Sequence, residues 1–162
     1  MADLPLDRAG ARTIAYDVQF TEPTTARDDL ALFGAVKRAG NVVLATTETD
    51  ARGRTNVLGG DENLREAHSV AAASNLPTGP GGVFERFTRT ALGIPSFAYA
   101  TSRRSGGPAL APSDFEADGA WIDYRGGPST IRTVSFSDLV RGRVDPAVFR
   151  GKIVVVGATS PS

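Results

Sequence analysis

Three small residues, Gly157-Ala158-Thr159, follow the short β-branched run Ile153–Val156, and they are the first stretch of the chain whose residue types suit ligand chemistry. An unbroken apolar run has no polar face. It is the pattern of a strand covered on both sides, typical of the centre of a parallel sheet. Open α/β sheets bind ligands outside the carboxyl ends of such strands, where strand order reverses, and small residues there let a ligand approach the backbone. The same three residues fit a tight strand-to-loop turn equally well. Asp17, Gln19 and Glu22 form a second group at a strand exit. Asp17 and Gln19 are two residues apart, so on a strand they project the same way. With Glu22 they suit a cation or a sugar hydroxyl. Their plainer role is to cap a loop and line a solvated rim.

Other chemistry is missing. Gly151-Lys152 is not a phosphate-binding loop, because Ile153 follows the lysine where Ser or Thr is required and the preceding Gly142 is too far away. His68, the one histidine, has no partner at a metal-ligand spacing and reads as a surface residue. No serine sits in a Gly-x-Ser-x-Gly elbow, and the chain has no cysteine, which excludes a disulfide frame, a thiolate zinc site and a cysteine nucleophile. No nucleophile–base set can be assembled, and no cofactor or metal is implied. Trp121 and Tyr124 are expected to pack in the core or between layers, and Arg103-Arg104 to end a helix in solvent.

The 162 residues suit one domain with a real core. Basic and acidic residues balance at 18 each, so a nucleic-acid partner, which calls for a basic excess or stripe, is not expected. No apolar run approaches the roughly 18 residues of a membrane-spanning helix. The first residues, with Asp3, Pro5 and Asp7, lack the basic and apolar parts of a signal peptide. Both ends read as cut within a larger protein.

The elements that must position these residues follow in order. Leu4–Ala11 reads as the tail of a helix ended at Gly10. Thr13–Phe20 alternates, with Ile14, Tyr16, Val18 and Phe20 on one face, and predicts a strand. Thr25 with Asp28 makes a capping-box-like start. Leu32, Phe33, Val36 and Ala39 follow at helical spacing, and Gly40 closes the helix. Val42–Thr46 is a second strand, which completes a right-handed βαβ unit. The polar, Gly-rich segment 47–63 is a loop or hairpin excursion. Segments 69–75 and 83–89 are expected to pair as an antiparallel hairpin. Helices are expected over Ser96–Arg104 and over Ser135–Arg141, the second capped by Ser135. Ala120–Arg125 reads as another strand, and Asp145-Pro146 opens a turn before the closing strand. The fold class is α/β: a mixed, largely parallel sheet with flanking helices and an antiparallel hairpin excursion.

Two stretches resemble a known family. Ala11-Arg12-Thr13-Ile14-Ala15-Tyr16-Asp17-Val18-Gln19-Phe20-Thr21-Glu22-Pro23 is similar to the Gly-Ala-x-x-Ile-x-x-Asp-x-x-Phe-x-Glu-Pro run of CHASE2 sensor domains. Ile122–Gly126, Ser135–Val140 and Phe149–Thr159 resemble the closing half of that family, with Asn41–Ala45 and Gly81–Arg86 in the order it shows. The resemblance implies the extracytoplasmic sensory module of a bacterial receptor, anchored in the membrane by flanking helices. Family outputs include nucleotide cyclases, Ser/Thr or histidine kinases, and diguanylate cyclases or phosphodiesterases. An adenylate or guanylate cyclase or a protein kinase is the output expected here. The partner implied is a small molecule of undefined identity, and a homodimer is admitted. The family's opening segment and its return to the membrane are missing, so the resemblance implies a core truncated at both ends. A small α/β enzyme and a ligand-free dimerisation module are the alternatives.

Overall fold

A computed structural model describes residues 5–116, 119–127 and 130–158. Its centre is a parallel sheet of β1 (Thr13–Asp17), β2 (Val42–Thr46), β3 (Val70–Ala73) and β8 (Ile153–Gly157). The strand order is β3-β2-β1-β8. β1 and β2 occupy the middle, and Ile14, Ala15, Val42, Val43 and Leu44 are completely buried. These residues alternate between two apolar layers, because successive side chains on a strand point to opposite faces.

One face holds the main core. Ile14, Tyr16, Val42 and Leu44 meet Leu6 of α1 (Pro5–Arg8), Val36 of α2 (Ala26–Ala39), Leu64 of α3 (Asp61–Glu66) and Leu139 of α5 (Phe136–Val140) there. On the other face Ala15, Val43 and Ala72 lie under Ala100 and Phe97 of α4 (Phe97–Arg104). Small side chains on β3 suit this face, because α4 lies close across β2 and β3.

The βαβ unit forms as its residues dictate. The Thr25 hydroxyl accepts from the Asp28 N–H at 3.2 Å and donates to Asp28 Oδ2 at 2.9 Å, which starts α2. Gly40 ends it in the left-handed region at φ 64°, with its N–H bonded to the Val36 carbonyl. The turn expected at Asp145-Pro146 forms over Pro146–Phe149, and Asp145 Oδ1 caps it by accepting from the Ala147 N–H at 2.9 Å.

Several expectations need correction. The Ile153–Gly157 strand is not central. It flanks β1 as the outermost strand described on that side of the sheet, and only Val154 and Val156 pack on the core. Ile153 and Val155, on the other face, are 47% and 61% exposed, because α4 lies over β2, β3 and part of β1. β1 stops at Asp17, four residues after it starts; Val18 is exposed, while Phe20 folds back edge-to-face on Tyr16 at 5.7 Å.

Segments 69–75 and 83–89 do not form a hairpin. Val70–Ala73 joins β2 in parallel, and Arg86–Phe87 (β4) pairs antiparallel with Ala120–Trp121 (β7). The tight hairpin is instead Thr90–Ala91 (β5) with Ile94–Pro95 (β6). β7 spans only the first two residues of the expected Ala120–Arg125 strand. Trp121 and Tyr124 are 60% and 65% exposed, outside the core. Trp121 carries the Arg86 guanidinium 3.9 Å above its ring, and the Tyr124 hydroxyl donates to the Phe84 carbonyl at 2.6 Å. Ser135 precedes α5 but makes no side-chain cap; its hydroxyl meets that of Ser137 at 2.9 Å. Arg103 is exposed as expected, whereas Arg104 is half-buried. Arg104 donates to the Gly40 carbonyl at 2.5 Å, and burial pulls its pKa below the usual guanidinium value.

Candidate functional site

The chain leaves β1 toward β2 on one side and returns to its other side as β8, so strand order reverses at β1. The carboxyl end of β1 is therefore where this architecture builds a crevice. The structure places the sequence-predicted residues around that end. Asp17 stands opposite Gly157 in the β1–β8 register, and a Cβ on Gly157 would lie 3.5 Å from the Asp17 Cβ, an ordinary contact. Ala158 follows and is exposed. Gln19 Nε2 donates to Thr47 Oγ1 at 3.0 Å, which ties the exits of β1 and β2 together. Thr159 and Ser160 lie outside the described residues. His68 is exposed, as expected.

Among the described ones, Glu22 lines a cleft on which the others do not lie. That cleft has a volume of about 1020 Å³ and runs between the 20–24 loop, the first turns of α2, the 56–59 turn and α3. Phe20, Leu32, Phe33 and Leu58 form its apolar wall, and they also pack against the main core. Glu22, Asp28, Asp29 and Glu66 are its ionisable residues.

The walls are held by short-range hydrogen bonds. Both Asp29 carboxylate oxygens lie 3.2 Å from the Thr24 N–H, and Oδ1 also accepts from the Thr24 hydroxyl at 2.7 Å. This clamps the loop on the first turn of α2, where a carboxylate is stabilised by the helix dipole. The Leu58 N–H donates to the Phe20 carbonyl at 2.8 Å, joining the two sides. Asn63 Nδ2 donates to the Leu58 carbonyl at 2.9 Å. Leu58 itself is in the left-handed region at φ 56°, which is strained for a residue with a branched side chain. Gly59 follows at φ 83°, a conformation that favours glycine, and a Cβ there would fall 2.8 Å from Asn63 Nδ2, so the Asn63 side chain would have to shift.

A second hollow of about 660 Å³ lies beside the first and shares Asn56. Two of its four acids, Asp50 and Asp61, hold the loop. Asp50 lies below the usual carboxylate range because the Arg54 backbone N–H, the Arg54 guanidinium and then the Arg52 N–H all donate to it. Asp61 accepts from the Thr55 N–H and hydroxyl at 3.2 and 3.1 Å. Among the described residues no group of three or more His, Cys, Asp or Glu could hold a metal ion.

Of the sequence-predicted residues Glu22 lies on this cleft, and its aromatic and aliphatic wall is not among them. The alternating pattern puts Phe20 on one face of a longer strand, and helical spacing puts Leu32 and Phe33 with Val36 and Ala39 on α2. The one available signal was the position of Phe20, two residues before Glu22-Pro23 and next to the break in the strand.

Among the described residues no helix is long and apolar enough to cross a membrane. No curated protein sequence and no solved structure matches the chain. The family model of the CHASE2 domain matches residues 4–162, essentially the whole chain. The chain therefore belongs to the CHASE2 domain family, a family of sensory domains of receptors.

Proposed function

We propose that this chain is the extracytoplasmic ligand-sensing domain of a bacterial membrane receptor, and that its ligand binds in the cleft between α2 and α3. The observation that carries this reading is the cleft itself, set at the carboxyl end of the sheet, where open α/β folds bind ligands. Its apolar wall is continuous with the core. A ligand that binds one arrangement of Phe20, Phe33 and Leu58 more tightly than another shifts the balance between them, which is the physics a sensor needs. The output is a cytoplasmic nucleotide cyclase or protein kinase, and the domain itself carries out no reaction.

A thermal-shift screen of the chain against a broad metabolite library tests this. A stabilising compound whose effect is lost in Phe33→Ala supports the cleft, and raised or lowered output from the full-length receptor on adding that compound supports sensing. A compound that binds with Phe33→Ala unaffected refutes the location. Fusions to a reporter that works only outside the cytoplasm check the placement.

A second reading, a dimerisation module, is favoured by the exposed apolar pair Ile153 and Val155 on β8, a strand that carries no charged residue or proline to blunt pairing. Sedimentation over a range of concentrations distinguishes it: a monomer throughout removes this reading.

A further inference from the structure

We infer that the cleft between α2 and α3 selects ligands that carry a positively charged nitrogen on an apolar body. The inference rests on the reading of this cleft as the sensing site and names the chemistry it would take. A concave volume of about 1020 Å³ with aromatic and aliphatic walls is suited to a small organic molecule. Phe20 and Phe33 supply aromatic rings to the lining, and the Lys37 ammonium already lies 5.8 Å from the Phe33 ring centroid, an attraction that the ring quadrupole explains.

The charge of the cleft then decides the sign of the ligand. Its lining has four carboxylates and, among the described residues, no Lys, Arg or His. Their states differ. Asp29 is committed to the Thr24 N–H and hydroxyl, and Asp28 accepts from the Thr25 hydroxyl. Glu66 is paired with Lys37 at 2.8 Å. Glu22 is exposed on the wall. Its carboxylate has no bond among the described residues, so it is free to receive a cation without breaking an existing contact.

An anion is disfavoured for a separate reason. The start of a helix ordinarily attracts negative charge, but the first turn of α2 already holds Asp28 and Asp29, which offset its dipole. An incoming carboxylate or phosphate would meet like charges at short range, and Lys37, the cation beside the lining, is already paired with Glu66 and lies over the Phe33 ring.

The test uses three probes of the same shape and different charge: phenethylamine, phenethyl alcohol and hydrocinnamate. Each is titrated into the chain and into Glu22→Gln, with backbone amide NMR shifts as the readout. The expected order is amine, then alcohol, then acid, with shifts at Leu58, Asn63 and Phe33. The preference for amine over alcohol is expected to be about threefold or more, to shrink by about threefold in Glu22→Gln and to weaken as salt is raised. Equal binding of all three, or an amine preference untouched by Glu22→Gln, overturns the charge selection and leaves the cleft standing as a binding site. Amide shifts that fall elsewhere, or no shift from any probe, overturn both this inference and the assignment of the cleft.

Discussion

Tyr16 connects the core to the cleft, and raising the pH tests that connection. Its side chain is 5% exposed, and Phe20 covers it edge-to-face. Burial pushes its pKa up to about 12, because the tyrosinate would lose its hydration. The unfolded chain releases this proton near pH 10, while the folded chain holds it. Between these values the folded state binds more protons, so stability falls as pH rises. Below about pH 10 the contribution is fully present. A displacement from about 10 to about 12 amounts to ~2.7 kcal/mol in full, of which about 1.9 kcal/mol is lost by about pH 11.5. For a domain of this size that corresponds to roughly 4–8 °C in Tm.

The assay is urea unfolding at about pH 9 and about pH 11.5 for the chain and for Tyr16→Phe, comparing the pH-dependent loss within each protein. All other titrating groups are shared, so they cancel in the difference. The parent is expected to lose about 2 kcal/mol more than Tyr16→Phe. Ultraviolet absorbance is expected to show one tyrosine ionising late, with Phe20 and Leu58 amides shifting as it does. Equal losses in the two proteins would refute the idea that Tyr16 is held neutral by burial under Phe20.

Three further substitutions probe the frame of the site. Thr25→Ala removes the cap of α2 and is expected to cost about 1 kcal/mol, or roughly 2–4 °C in Tm, whereas Thr25→Ser keeps most of the stability; thermal denaturation followed by circular dichroism measures both. Gly59→Ala forces a Cβ against Asn63 Nδ2 at a positive φ and is expected to cost about 1–3 kcal/mol, with faster hydrogen exchange at Leu58 and Asn63 than at the β2 amides. Leu44→Ala and Val155→Ala contrast the centre and the edge of the sheet. The first empties a fully buried position and is expected to cost about 2–5 kcal/mol, the second less than about 1 kcal/mol, and similar costs in chemical denaturation would return β8 to the sheet centre.

The parts of the fold that were legible in the sequence are those decided within a few residues. The Thr25–Asp28 cap, the helical spacing of Leu32, Phe33, Val36 and Ala39, and the stop at Gly40 specify α2 locally, and the structure reproduces it between those limits. Strand partners are decided at a distance; the parallel pairing of β1 with β2 followed from the βαβ unit, but the hairpin of 69–75 with 83–89 and the central place of 153–156 failed. Val70–Ala73 has no alternating pattern because both its faces are covered by neighbours that come close. It takes its register from β2, with Val43 opposite Val70. For Ile153–Val156, an apolar run was equated with burial on both faces. A β-branched run is also what favours extended backbone at any position in a sheet. The place of that strand depends on where α4 lies, and α4 belongs to a segment about fifty residues earlier, which no local pattern of 153–157 encodes.

The cleft was hidden for a related reason. Its wall is the outer layer of the core, so Phe20, Leu32, Phe33 and Leu58 carry the same apolar signal as residues with no access to a ligand. Only their convergence at the mouth of the 20–24 loop distinguishes them. That dual position has a mechanical consequence. Phe20 touches Tyr16, and Tyr16 pairs in register with Val156 of β8. A ligand that displaces Phe20 must repack Tyr16, because close-packed interiors do not absorb a moved ring as empty space. Tyr16 lies on β1 in register with β8, and both strands end on the same side of the sheet, at Asp17 and Gly157. The strand exits at Asp17 and Gly157 and the cleft wall at Phe20 are therefore connected through one buried tyrosine.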